Sequence, residues 1–435
     1  MFDRRNRLSA FFLATALVAL MAEAAAQEVK FALVPVAAKV EIGSYTPQRL
    51  RLSASKPPAA KYLPANLSAP LFSVLSLGPK ESPTTIVVVL DEPDGAPARL
   101  FVDANGNGDL RDDPPTEWTP RPYKSPDGQR WTSYGGGARV KVDYGEHSAI
   151  LHIAMYRFDK NDTDPNHAGL KDSLFYYGDY AREGEITLGN KKYRALLTDN
   201  FTTGDFRGRA NARISGVQLL IDKNGDGKFD RSCEAFEVRK PFNIGGTSYE
   251  ITGLTAAGDR FAIRQSSKTV AELRPPPAVG EQALAFNART TTGQEVNFPA
   301  DYKGKLVLLD FWSTWCGPCL VEAPHLAATY QKLHPRGLEV LGISLDRPRA
   351  ADKLAEFTRD KNMPWPEICD GKVWEADVAK LYNIRAIPQT FLVDGQTGLI
   401  IAAGLTLRDK KLEKTIEQFL ARKAARPTEP RGPIP

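Results

Sequence analysis

Residues Lys305 to His334 read KLVLLDFWSTWCGPCLVEAPHLAATYQKLH, and no other stretch narrows the possible folds of this chain so far. KLVLLDFW is a continuous apolar run, the pattern of a strand covered on both faces rather than on one. From Cys319 onward the apolar residues recur at helical spacing. A doubly buried strand that turns directly into a helix belongs to a layered α/β sheet. At the turn stand Cys316 and Cys319, two of the four cysteines in 435 residues.

The same texture continues to the C-terminus. LEVLGISLD reads as a second buried strand and AADKLAEFTRDK as a helix. QTFLVD and LIIAAG form a strand pair across Gly395 to Gly398, and DKKLEKTIEQFLARK is a closing amphipathic helix. Upstream, RPPPAVG (Arg274 to Gly280) marks a boundary, because consecutive prolines favour extended geometry and interrupt helices and central strands. The expected organisation is a signal peptide over 1–26, a β-rich region over 27–273, a linker over 274–280, an α/β domain over 281–421 and a disordered proline-rich tail over 422–435.

Before the boundary the pattern is different. TTIVVVLD, ARLFVD, ARVKVDY, SAILHIAMY, VQLLID, SYEITGL and RFAIRQ are short β-type runs separated by turn residues. They predict a mostly antiparallel β region. LFVDANGNGDL at Leu100 to Leu110 aligns without a gap with LLIDKNGDGKF at Leu219 to Phe229, 119 residues further on, which implies two related β modules or two halves of one domain.

These two segments also place oxygen side chains at alternate positions. Asp103, Asn105, Asn107 and Asp109 surround Gly108; Asp222, Asn224, Asp226 and Asp230 surround Gly227. Such spacing, with a glycine at the sixth position, resembles a calcium loop of EF-hand type. The twelfth position, which should supply a bidentate Glu, falls on Pro114 and Cys233, with Asp113 and Glu234 one residue off. The competing reading is hairpin chemistry, since Asn105–Gly106 and Asn224–Gly225 are strong short-turn signals.

Two thiols three residues apart on the first turn of a helix have a recognisable chemistry. Unpaired amide N–H groups and the positive end of the helix dipole stabilise a thiolate there, so Cys316 is the expected nucleophile. Cys319, one turn in, is placed to close a disulfide and to exchange two electrons with a substrate through a mixed disulfide. Zinc needs two further ligands, and Cys233 and Cys369 show no paired spacing. Covalent haem needs a His after the second Cys, where Leu320 stands. A peroxidase of the peroxiredoxin type stays open, and so does a Cys233–Cys369 pairing across the two regions, against two inert buried thiols.

WCGPC, the strand before it and AIPQTFLVD about 70 residues later make residues 280–421 resemble the thioredoxin fold. CxPCxxExP, with the signal-like N-terminus and a long segment from Asp346 to Tyr382, is similar to the exported TlpA-like and ResA-like reductases. The fold class expected is therefore an α/β thioredoxin-like C-terminal domain behind a mostly antiparallel β region. The resemblance implies a cis peptide before Pro388, with Ile387 and Pro388 forming substrate-docking backbone beside Trp315, Gly317 and Pro318. It also implies a buried proton relay at Asp310, with Glu322 as its auxiliary. No cofactor beyond the Cys316–Cys319 disulfide is needed for this chemistry.

Arg4, Arg5 and Arg7, the apolar run from Leu8 to Met21 and small residues up to Ala26 read as a secretory signal, with a retained N-terminal anchor as the alternative. The formal charge of +5 is concentrated at the termini, and the near-neutral body offers no electrostatic basis for nucleic-acid binding. The expected localisation is the bacterial periplasm. The expected partners are disulfide-containing exported proteins and a membrane electron donor that recharges the dithiol. The competing function is a calcium-dependent envelope binding protein whose thioredoxin-like part is an accessory.

Overall fold

The computed structural model describes residues 26–43, 45–124, 130–162, 164–209 and 215–424. Residues 1–25 of the signal-like N-terminus and 425–435 of the tail lie outside the described residues; 422–424, expected in the tail, instead continue the last helix, Asp409–Ala424. The chain divides into two compact units, one running to Phe229 and resuming over Phe236–Glu272, the other comprising Asp230–Ala235 and the chain from Leu273 onward.

The first unit is built of antiparallel sheets. Ser148–Phe158 pairs with Arg130–Asp143 along eleven residues, in a five-stranded sheet closed at one edge by Gln48–Arg51 and at the other by Glu117–Lys124. Lys191–Asp199 sits between Ala181–Leu188 and Val217–Ile221 in a second five-stranded sheet. The run TTIVVVLD becomes the strand Thr84–Asp91, central in a three-stranded sheet, with Ile86 to Leu90 fully buried. Both faces of that strand are covered, which explains why its sequence does not alternate.

The two acidic segments adopt the same local structure, as their alignment implies. Asp103 accepts from the amides of Gly106 (2.9 Å) and Gly108 (3.0 Å), and Asp222 accepts from those of Gly225 (2.7 Å) and Gly227 (3.0 Å). All four glycines have φ between 74° and 84°, the left-handed region that a β-carbon disfavours. Neither Asn-Gly pair makes a two-residue hairpin. The strand Arg99–Val102 is followed by Glu117–Lys124 in a different sheet; Val217–Ile221 neighbours Ala235–Glu237 in its own sheet, but the connection spans residues 222–234. The buried aspartate at the head of each loop organises the turn in place of a tight strand reversal.

Within the second unit, a hairpin of β1 (Phe286–Arg289) and β2 (Glu295–Phe298) precedes β3 (Leu306–Trp312) and α1 (Gly317–Leu333). β4 (Leu338–Ser344), α2 (Ala351–Asp360), β5 (Glu367–Ile368) and α3 (Asp377–Leu381) follow. β6 (Gln389–Asp394), β7 (Leu399–Ala403) and α4 (Asp409–Ala424) complete it. The sheet order is β5-β4-β3-β6-β7, with β3, β4 and β5 parallel and β6 and β7 antiparallel to their neighbours. This is the α/β arrangement that the thioredoxin resemblance implies.

Every residue of β3 is buried, and alternate residues feed two cores. Leu306, Leu308 and Trp312 pack with Leu326 and Tyr330 of α1 and with Leu412 and Ile416 of α4. Val307, Leu309 and Phe311 pack with Val296 and Phe298 of the hairpin and with Val378 and Ala379 of α3. The central strand is thus held from both sides, and its C-terminal end presents the cysteine turn on a rigid base. Asp310 is the polar member of this strand, and the two cores leave it little water.

Cys233 does not reside with the β region in which its sequence position places it. Residues 230–235 belong by their contacts to the second unit, where the Asn383 amide donates to the carbonyls of Ser232 and Arg274. Cys233 and Cys369 are therefore in one unit, and both are thiols rather than partners in a disulfide.

Candidate active site

α1 begins with Cys316 as its N-cap, in extended geometry at φ −90° and ψ 101°. Cys316 Sγ accepts from the Cys319 amide at 3.2 Å, so the sulfur sits where the helix offers unpaired N–H groups. Pro318 fits the first turn, where its missing N–H costs nothing. Cys316 and Cys319 are joined in a disulfide, with Cα atoms 5.2 Å apart, and are 5% and 3% exposed. Trp315, Gly317 and Pro318 are exposed around it.

The turn is anchored from behind by a residue that sequence reasoning left out. Asp346, 2% exposed just past β4, accepts from the Thr314 amide (3.0 Å), the Thr314 hydroxyl (2.7 Å) and the Ser344 hydroxyl (2.7 Å). Trp315 Nε1 donates to the Leu345 carbonyl at 3.2 Å, and its ring meets Trp374 edge-on. Asp346→Ala strands these buried donors, which costs about 1–3 kcal/mol. We expect a lower urea midpoint together with slower disulfide exchange, both measured on the full chain.

Behind the disulfide, Asp310, Cys319, Glu322, Met363, Pro388, Thr390 and Arg408 line one cleft. Asp310 reaches it from β3, in register with Thr390 of β6. Glu322 reaches it from α1, half-buried one turn beyond Cys319, rather than pointing into solvent as a surface glutamate. The Ile387–Pro388 peptide is cis, and the Pro388 carbonyl accepts from Arg408 Nη2. Burial pushes the Asp310 carboxyl up to about 7; the Arg408 guanidinium opposes that shift and Glu322 adds to it. A carboxyl poised near neutrality beside the inner cysteine can take or give a proton at the pH at which the thiols exchange.

The residues considered for calcium are elsewhere. Asp109 pairs with Arg111 at 2.7 Å, and the Asn105 and Asn107 amides donate to Asp112. The Ala104 amide donates to Asp113, whose carboxyl burial and the neighbouring Asp103 push up to about 6. The Asn224 amide donates to Asp226, and the Asp230 amide donates to Glu234. Among the described residues no group of three His, Cys, Asp or Glu side chains is arranged to hold a metal ion. Likewise, no helix among them is long and apolar enough to cross a membrane.

Comparison with known proteins places this site in a context. The AhpC/TSA family matches residues 279–402. The chain is 32% identical over 144 residues to the thiol-disulfide oxidoreductase ResA of Geobacillus kaustophilus, covering 33% of this chain and 78% of that protein. It is 32% identical over 141 residues to the thioredoxin-like protein YneN of Bacillus subtilis, covering 32% of this chain and 78% of that one. Among solved structures, the thioredoxin domain of a thiol-disulfide oxidoreductase from Bacteroides vulgatus matches at 33% identity and a TM-score of 0.30, covering 33% of this chain and 99% of that one.

Proposed function

Because the chain belongs, through its C-terminal third, to the ResA-like thiol-disulfide oxidoreductases, we propose that it is an exported enzyme that reduces protein disulfides. The observation that carries this reading is the Cys316–Cys319 disulfide at the head of α1, with Asp310 in the cleft behind it. In the reduced enzyme, the Cys316 thiolate attacks a substrate disulfide, and the first substrate sulfur leaves as a thiolate. Asp310 then takes the proton of Cys319. The Cys319 thiolate attacks Cys316 Sγ, the mixed disulfide breaks, and the substrate departs with two electrons gained. Exposed Trp315, Gly317 and Pro318, with the Ile387–Pro388 backbone, form the face on which the substrate rests.

The reducing direction is supported by the Gly317–Pro318 dipeptide, which the reducing thioredoxins share. The signal-like N-terminal sequence supports the reading of export. Recharging then falls to a membrane electron donor, and the substrates are disulfide-containing exported proteins. A redox titration of the full chain against glutathione and dithiothreitol buffers tests the direction. The reading expects a potential near that of thioredoxin, about −270 mV, and is overturned by one near the strongly oxidising value of about −120 mV.

A further inference from the structure

Asp310 is accompanied by a second buried carboxyl. In register across three strands, Asp310 of β3 pairs with Gly342 of β4, and Gly342 pairs with Glu367 of β5. Residues in register on neighbouring strands project to the same face. Gly342 has no side chain, and the Glu367 carboxyl occupies the space above it. A β-carbon there would meet Oε2 at 2.1 Å and Oε1 at 2.3 Å. Glu367 therefore leans over the glycine, from the edge of the sheet toward Asp310.

The carboxyl is fixed in that position. Trp312 Nε1 donates to Oε2 at 3.0 Å, Trp365 Nε1 donates to Oε1 at 3.0 Å, and the residue is 5% exposed. Both donors are neutral indoles, and burying a carboxyl with no cation beside it is costly. Burial pushes Glu367 up to about 8; the Trp312 hydrogen bond opposes this and the Asp310 carboxyl adds to it. The other ionisable groups around the pair are Asp346 past β4, Glu322 and Cys319 on α1, Tyr330 with its ring edge-on to Trp365, Arg408 before α4, and Cys369 beyond β5.

We propose that Glu367 is a positioning residue for the exchange reaction: set in line with Asp310 across Gly342, it governs how readily Asp310 accepts the proton of Cys319. The proposal rests on the reading of Asp310 as that acceptor. Two carboxyls so placed titrate as a pair, the first proton leaving more easily than the second. While Glu367 holds its proton, Asp310 is ionised and able to accept one. In the resolving step the proton passes from Cys319 Sγ to an Asp310 oxygen, the Cys319–Cys316 S–S bond forms, and the substrate–Cys316 S–S bond breaks, releasing the substrate thiolate. Ionising Glu367 disfavours the charge on Asp310 and shifts the pH at which this transfer runs.

The test is a stopped-flow reaction of the reduced full chain with 5,5′-dithiobis(2-nitrobenzoate) across neutral pH. Attack by Cys316 releases the first thionitrobenzoate and resolution by Cys319 the second. In the unmodified chain the second phase should show two inflections with pH, and Glu367→Gln should remove the upper one and leave the lower in place. In an Asp310→Asn background the same substitution should leave the profile unchanged. A Glu367→Gln protein of lowered stability that keeps both inflections overturns the proposal, as does the same change in both backgrounds. If Asp310→Asn alone leaves the second phase untouched, the acceptor reading fails and this proposal falls with it. Should Glu367→Gln not fold, the carboxyl carbon-13 shifts of Asp310 and Glu367 in the unmodified chain decide the matter: two-step coupled curves support the proposal, and two independent single-step curves overturn it.

Discussion

Cys316→Ser abolishes insulin reduction, with a loss of at least about a thousandfold, because no other thiol takes the N-cap position of α1. Cys319→Ser gives the opposite picture. The nucleophile still attacks, but nothing resolves the mixed disulfide, so a covalent substrate adduct accumulates on Cys316. Non-reducing gels of the two variants after incubation with a disulfide substrate separate these outcomes. An adduct on Cys316→Ser, or turnover by it, contradicts the assigned order. Cys233 and Cys369 serve as internal controls, since they lie in the same unit and form no disulfide.

Asp310→Asn is expected to slow the resolving step about a hundredfold, the contribution typical of a general base. In the unmodified enzyme that step should accelerate as the pH rises through about 7, the value to which burial lifts this carboxyl. The variant loses that rise. Stability should change in the other direction. The folded chain retains a proton on Asp310 between its ordinary value of 3.8 and about 7, whereas the unfolded chain has lost it. Stability therefore falls as the pH rises through this window, by on the order of 4 kcal/mol. Asparagine carries no such penalty, so at pH 8 the variant should melt higher than the parent and yet be the poorer enzyme. Melting curves at pH 4 and pH 8, paired with single-turnover rates, check both halves. A variant that melts lower at pH 8 and keeps its rate contradicts the burial argument.

The parts of this site that could be read in advance are those encoded by local order. The apolar run of β3 and the switch to helical spacing at Cys319 locate the strand, the turn and the helix end without any long-range contact. Glu322 falls on the cleft face because it follows Cys319 by one helical turn. Asp346, Arg408 and Glu367 could not be found in this way. Asp346 acts through its distance from Thr314, 32 positions earlier in the chain, and Arg408 through the carbonyl of Pro388. Glu367 matters only because parallel pairing sets it beside Gly342 and Gly342 beside Asp310, a register that the periodicity of any one strand leaves open. The segment 230–235 is a further case. Its sequence continues an acidic loop of the β unit, but its contacts are with the α/β unit. The Asn-Gly pairs show the reverse hazard: a strong hairpin signal is overridden once a buried aspartate collects the loop amides.

The central claim is that the helix start holds the Cys316 sulfur as the reactive thiolate. Alkylation of the fully reduced chain with iodoacetamide over a range of pH, with each modified cysteine assigned by mass, tests it most directly. The account predicts that Cys316 reacts first, with a midpoint well below the value of about 8.5 for a free thiol, while Cys319 reacts later and at higher pH. A Cys316 that titrates like free cysteine, or a Cys319 that reacts ahead of it, would contradict the account.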